Sequence, residues 1–147
     1  MEIVKMNEGH VASVAAIEKE CFGADAWSEK SVASELTNKL SLWLVAVDGE
    51  RVAGYIGSQT VCDETDMMNV AVTGDYRRQG LGEKLVLELE KELKAMGSQC
   101  LTLEVRDSNT PARTLYEKLG FQQIGLRKNY YRNPKEDAYI LRKEWNV

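Results

Sequence analysis

The chain has 147 residues, 44% of them apolar and 29% charged, which suits one soluble domain with a real core and leaves little room for two. A formal net charge of −4 disfavours nonspecific binding of nucleic acid through a broad basic face. No segment approaches the roughly 20 apolar residues that cross a bilayer, and the start Met1-Glu2-Ile3 carries no export signal, so a cytoplasmic location is expected. Cys21, Cys62 and Cys100 are odd in number and widely spaced, so they read as reduced, buried small hydrophobes rather than a disulfide framework or zinc site. His10 is the only histidine and reads as incidental to a first helical turn.

In chain order, Ile3 to Met6 is a first strand and Asn7 caps a helix to about Phe22, with Val11, Val14, Ala15, Cys21 and Phe22 at helical spacing. A short helix follows Ser28, with Val32, Ala33 and Leu36 as a narrow stripe. Ser41 to Val47 and Arg51 to Thr60 are strands joined by the hairpin signal Asp48-Gly49-Glu50. After a polar loop at Asp63 to Thr65, Asp66 to Val72 reads as a strand. Gly82 to Met96 reads as a long helix with Leu81, Leu85, Leu89, Leu93 and Met96 on one face, ended by Gly97. Cys100 to Arg106 is a strand. Thr110 caps a helix that opens on Pro111 and ends at Gly120. Phe121 to Tyr131 and Asp137 to Arg142 are the last strands, with a polar turn at Asn133 to Glu136. The order β-α-α-β-β-β-α-β-α-β-β predicts an α/β protein of the α+β kind, with one mixed sheet, helices on its faces and a single domain over residues 1–147.

The most informative stretch is Arg77-Arg78-Gln79-Gly80-Leu81-Gly82, between a strand and the start of a long helix. Glycines there let backbone amides approach a ligand, and the free N–H groups of a helix's first turn face an anion. A pyrophosphate seat is the reading. A dinucleotide fingerprint would need glycine where Leu85 stands, and a nucleotide P-loop would need Lys and Ser or Thr after Gly82, where Glu83 and Lys84 stand.

Arg or Gln, two residues, Gly, one residue, Gly at a strand-to-helix junction resembles the acetyl-coenzyme A motif of the GNAT N-acetyltransferases, and the element order is similar over nearly the whole chain. The resemblance implies that the amides of Arg78, Gln79, Gly80, Leu81, Gly82 and Glu83 hold the pyrophosphate. It also implies that Val70-Ala71-Val72 runs beside the pantetheine arm on a strand that splays from the next, with an amide near Val72 polarising the thioester carbonyl.

Alternation along Cys100 to Arg106 puts Leu101, Leu103 and Val105 on one face and Thr102, Glu104 and Arg106 on the other. An amine acceptor is an ammonium at neutral pH and must lose a proton before it attacks, and Glu104 can take it; a salt bridge to Arg106 is the competing use of that carboxylate. Tyr116, on the helix after that strand, can protonate the departing thiolate or simply pack in the core. Asn109 can bond an amide of the pantetheine arm or serve as a turn residue.

Ala26-Trp27-Ser28, Asn69-Val70-Ala71-Val72, Leu103-Glu104-Val105-Arg106, Ser108-Asn109, Leu115 to Phe121 and Arg127-Lys128-Asn129-Tyr130-Tyr131 are similar to the ribosomal-protein-alanine N-acetyltransferases of bacteria, the RimI group. That resemblance implies Glu104 as base, Tyr116 as acid, acetyl-coenzyme A as co-substrate, no metal, and the N-terminal alanine of a small-subunit ribosomal protein as acceptor. A small amine or a protein lysine is the alternative acceptor, and a non-catalytic coenzyme A-binding module the alternative of another class. Acceptor contacts are expected from Trp27, Tyr130 and Tyr131, with Glu136 and Asp137 favouring a basic peptide. Ala26 departs from the proline common in that group, which bears on how the loop before Trp27 is set.

Overall fold

The computed structural model describes residues 1–132 and 134–145. Seven strands, β1 (Glu2–Lys5), β2 (Ser41–Asp48), β3 (Arg51–Val61), β4 (Glu64–Val72), β5 (Cys100–Arg106), β6 (Gln122–Tyr131) and β7 (Glu136–Glu144), form one sheet in the order β1-β2-β3-β4-β5-β7-β6. Four α-helices, α1 (Val11–Phe22), α2 (Glu29–Ser34), α3 (Leu81–Ala95) and α4 (Thr110–Lys118), complete it, with single 3₁₀ turns between several elements. The element order is the one expected from sequence. Of the last expected turn, Asn133 lies outside the described residues.

Two apolar clusters sandwich the sheet. On one face Leu81, Leu85, Leu89 and Leu93 of α3 pack on Leu42, Leu44, Ile56, Leu101 and Leu103. Full burial of each leucine contributes about 1.5–3 kcal/mol. On the other face Val14 and Ile17 of α1 and Val32 of α2 pack on Trp43, Val45 and Tyr55. The Trp43 indole lies where a Cβ on Gly57 of the neighbouring strand would overlap it, so glycine is required there. Trp43 stacks on Tyr55 at 5.7 Å between ring centroids and meets Trp27 at 5.3 Å.

Several sequence expectations shift. Asn7 caps a 3₁₀ turn, Glu8–His10, before α1 begins, and His10 Nδ1 accepts the Asn7 N–H at 3.1 Å, so the histidine completes a capping box. On α1 the buried face is Val11, Val14, Ile17 and Glu18. Ala33 is exposed while Glu35 is buried, because α2 stops at Ser34 and tightens into a 3₁₀ turn, Glu35–Thr37. Met96, past the end of α3, turns out to solvent. The polar loop shrinks to a two-residue turn because Val61 pairs with Glu64; Cys62 occupies it at φ 58°, so this thiol is exposed rather than buried.

Pairing between β4 and β5 positions the site. It is the sheet's parallel pair and covers only Glu64–Asp66 against Cys100–Thr102. Beyond it, β4 runs on to Val72 with a partner on the β3 side alone, and β5 runs on to Arg106 with a partner on the β7 side alone. A wedge opens between the two strands. In β4, Met68 is an extra residue, since Gly57 pairs with Asn69 and Ser58 with Met67; such a bulge re-aims the strand after it.

Candidate active site

The donor end of the wedge is built from backbone. Thr73 N–H donates to Ala53 O at 2.9 Å, on the β3 side, so alternation turns the N–H and C=O of Val72 toward the wedge. That carbonyl accepts Arg77 Nε at 3.1 Å. Arg77 also reaches Glu20 at 3.3 Å, and Glu20 takes the Thr73 hydroxyl at 2.8 Å and the Gly74 N–H at 2.9 Å. These donors hold the Glu20 carboxyl below its usual range, Thr73 foremost. The first arginine of the motif is therefore a clamp between the end of β4 and α1.

From Arg78 onward the chain turns its amides outward. Arg78 has φ 64° and Gly80 φ 75°, and Gly80 is the N-cap of α3 without any side-chain cap. The first helical bond is Lys84 N to Gly80 O at 3.1 Å. Among the described residues, the N–H groups of Arg78, Gln79, Gly80, Leu81, Gly82 and Glu83 have no hydrogen-bond partner. Successive free amides around a left-handed residue at a helix start make an anion cradle, helped by the helix dipole. Gly82 has no protein atom closer than 4.0 Å to where its Cβ would be. The Glu83 carboxylate bonds Lys118 Nζ at 3.2 Å, which ties this turn to α4.

Side chains build the other end. Glu104 stands on the half-exposed face of β5 as its alternation predicts, with Leu103 and Val105 buried. Its ion pair is with Arg127 Nε of β6, at 3.4 Å, and not with Arg106. The Tyr130 ring lies 5.4 Å from the Arg127 guanidinium, and the nearby Glu104 carboxylate, followed by burial, raises the Tyr130 hydroxyl above its ordinary range. Tyr131, which meets Tyr130 edge-on at 5.1 Å, is pushed up to about 12 by burial and then by the Glu104 charge.

Tyr116 is 4% exposed and packs edge-to-face on Phe121 at 5.5 Å. Its backbone carbonyl accepts Phe121 N at 3.0 Å, which closes α4 and fixes where the ring points. Burial, followed by the Tyr131 phenol, raises the Tyr116 hydroxyl, so it stays protonated near neutrality. Among the described residues that hydroxyl has no hydrogen-bond partner. Asn109, not Thr110, is the N-cap of α4: its Oδ1 accepts Ala112 N at 3.3 Å. An Oδ1 taken by the helix leaves the Nδ2 group as the end able to donate outward.

Arg106 shares a face of β5 with Glu104 but makes no ion pair with it among the described residues. Its guanidinium bonds Pro134 O at 3.0 Å, Arg132 O at 3.1 Å, Glu136 at 3.3 Å and Asp25 at 3.5 Å, and lies 4.2 Å from the Tyr131 ring centroid. It thus joins the α1–α2 loop to the β6–β7 turn. Glu136 is engaged further by Ser108 N and Oγ at 2.8 and 2.9 Å, and Asp137 by Asn129 N at 2.8 Å. Glu136 thus ties the β6–β7 turn to the end of β5 and the loop after it, while Asp137 bonds within the hairpin. Sequence reasoning passed over Glu18 and named Arg106 and Arg127 without the partners they take here; a glutamate within the apolar face of α1 was the available signal for the first.

A seven-stranded sheet with a wedge between β4 and β5, and an amide cradle at the helix start beyond it, defines an acyl-transfer class of fold. The chain belongs to the acetyltransferase (GNAT) family, whose pattern residues 11–121 match. It is 42% identical over 117 residues, 78% of each chain, to the [ribosomal protein bS18]-alanine N-acetyltransferase of Escherichia coli strain K12. Identity is 40% over 116 residues to the putative [ribosomal protein bS18]-alanine N-acetyltransferase of Bacillus subtilis strain 168, covering 78% of this chain and 77% of the other. The crystal structure of the ribosomal-protein-S18-alanine N-acetyltransferase from Escherichia coli superposes with a TM-score of 0.91 at 36% identity, covering 99% of this chain and 94% of that one. An aminoglycoside 6′-N-acetyltransferase complexed with coenzyme A shares the fold at 19% identity and a TM-score of 0.85.

Proposed function

We propose that this enzyme transfers the acetyl group of acetyl-coenzyme A to a protein's N-terminal α-amino group, with the N-terminal alanine of ribosomal protein S18 as acceptor. The observation that carries the reading is the six-amide cradle of Arg78 to Glu83, which follows the β4 side of the wedge while Glu104 stands on its β5 side, in a chain 42% identical to an enzyme named for that acceptor. The cradle fits a pyrophosphate, Val70 to Val72 and the Asn109 side-chain amide bond the pantetheine arm, and the Val72 N–H faces the thioester oxygen. One such donor is worth about 10² to 10³ in rate.

Glu104 removes a proton from the acceptor ammonium, directly or through water, and the acceptor's positive charge takes over the place of Arg127 beside the carboxylate. The amine nitrogen forms its bond to the acetyl carbon, the carbon–sulfur bond breaks, the Tyr116 hydroxyl gives the thiolate its proton, and the second proton that the nitrogen sheds in becoming an amide restores the phenol through water. No metal takes part. An α-amino group with a pKa of about 7.7–8.0 needs about 1–1.4 kcal/mol to be neutral at pH 7, against about 4.6 for a lysine, so a single glutamate suits an N-terminus better. Trp27, Tyr130 and Tyr131 line the acceptor side.

Release of free thiol from acetyl-coenzyme A tests this, with one peptide carrying the S18 N-terminal sequence and one carrying a lysine behind a blocked N-terminus. We expect turnover with the first peptide alone. Labelling of the lysine peptide only would overturn the acceptor assignment, and no thiol release with any amine would overturn catalysis.

A further inference from the structure

The Glu18 carboxylate is wholly buried in the apolar cluster of Val14, Ile17 and Val32, and the chemistry just described does not use it. It accepts the Tyr55 hydroxyl at 2.6 Å, Asn69 Nδ2 at 2.8 and 3.1 Å on its two oxygens, and the Trp27 N–H at 3.4 Å. Among the described residues no lysine, arginine or histidine pairs with it. Burying a carboxylate without a cation is costly, and a helix that needed only packing would carry an apolar residue at this position. A carboxylate differs from other side chains of its size in accepting many hydrogen bonds while donating none.

Where its donors come from gives the arrangement meaning. Tyr55 belongs to β3, in the middle of the sheet. Asn69 is the first residue after the Met68 bulge and immediately precedes Val70, at the wedge. Trp27 lies in the α1–α2 loop, and its ring packs on Trp43, which in turn stacks on Tyr55. One buried group therefore holds the re-aimed part of β4 and the acceptor-side loop to a common point.

We propose that Glu18 is a positioning residue, fixing Trp27 of the acceptor-side loop at a set distance from the bulged strand that ends in the thioester seat. Acceptor binding depends on it; the amide cradle on α3 does not. The inference rests on the acceptor side assigned above.

Glu18→Gln keeps the volume but turns an N–H₂ group toward the Asn69 and Trp27 donors. Adding Asn69→Asp transposes the pair, so that the amide introduced on α1 donates to a carboxylate introduced on β4. In the single variant we expect the KM for the Ala-starting peptide to rise about tenfold, the effect of disturbing hydrogen bonds to a buried charge. Coenzyme A affinity should stay within about twofold, because the cradle is untouched. Amide exchange should quicken together in residues 24–28 and 68–70, and the double variant should recover most of both effects. An unchanged peptide KM, or equal loss of both ligands without recovery in the double variant, overturns the proposal and leaves Glu18 a core residue. If the single variant does not fold, a folded double variant with near-normal peptide KM supports the proposal, and an unfolded one overturns it. If the wild-type protein acetylates no peptide, the acceptor reading falls, and exchange still decides for Glu18: coupled change in the two segments supports it, change in one alone does not.

Discussion

The two ends of the wedge are made of different material. The donor end is backbone: six free amides, a left-handed glycine, and a strand end turned by a bulge. The acceptor end is side chain: Glu104 with Arg127, which in turn lies over the Tyr130 ring, Arg106 across two loops, and Trp27 over an aromatic stack. A ligand seen by backbone can be exchanged for another only by changing the chain path, whereas one seen by side chains changes with single substitutions. Relatives that share a cofactor and differ in acceptor would be expected to differ at the second end.

The proposed chemistry gives the largest test of that division. Glu104→Gln removes the proposed base but keeps the size, and turnover should fall by about 10² to 10⁴ with coenzyme A still bound. Tyr116→Phe should fall within the same range, and since the hydroxyl has no partner among the described residues, the melting temperature should hold. Steady-state kinetics beside calorimetry with coenzyme A would show it; near-normal turnover in both variants would remove both roles.

Next in size is Gly82→Ala. Helical backbone and open space at this Cβ predict no cost in folding, and alanine favours the helix. If a phosphate approaches this turn closely, the methyl group should weaken coenzyme A about tenfold, or about 1.4 kcal/mol, while the protein melts no lower. Unchanged affinity would mean that the ligand does not meet the helix there. The acceptor-end counterpart is Arg106→Gln, which cuts the link between Asp25 and the β6–β7 turn. Peptide KM should rise about three- to tenfold with coenzyme A affinity kept, and a fall in both affinities would show the two ends to be one mechanical unit.

The same division explains what could be read from the sequence. The element order, the wedge strands and the cradle follow from periodicity and from glycines, because backbone conformation is written in local residue types. Glu104 could be placed on the correct face of β5 by alternation, but its partner could not: Arg106, two residues away, was the nearest candidate, whereas Arg127 comes from β6, across β7, in a hairpin whose register shifts between Arg127 and Tyr131. Register irregularities leave no periodic trace. Glu18 was hidden for a related reason, since a glutamate on a helix reads as solvent-facing until Tyr55 and Asn69, from distant strands, are known to meet it.

The smallest expected effect concerns Ala26. Its φ of −67° and ψ of 144° are angles that proline adopts, so its own conformation would tolerate the proline common in the group this chain resembles. Two features oppose it. The Ala26 N–H donates to Gly23 O at 3.2 Å, closing the 3₁₀ turn Gly23–Asp25, and proline has no N–H to give. Asp25 lies in that turn, and a residue before proline is pushed toward extended backbone. Ala26→Pro should therefore destabilise by about 1 kcal/mol, lowering the melting temperature by about 3 °C, even though proline restricts the unfolded chain. Extending Asp25 would also draw its carboxylate from Arg106, so peptide KM should rise about twofold while coenzyme A affinity holds. A higher melting temperature with unchanged kinetics would show that the loop already takes the proline-compatible path, and that the turn is no part of what sets the acceptor end apart.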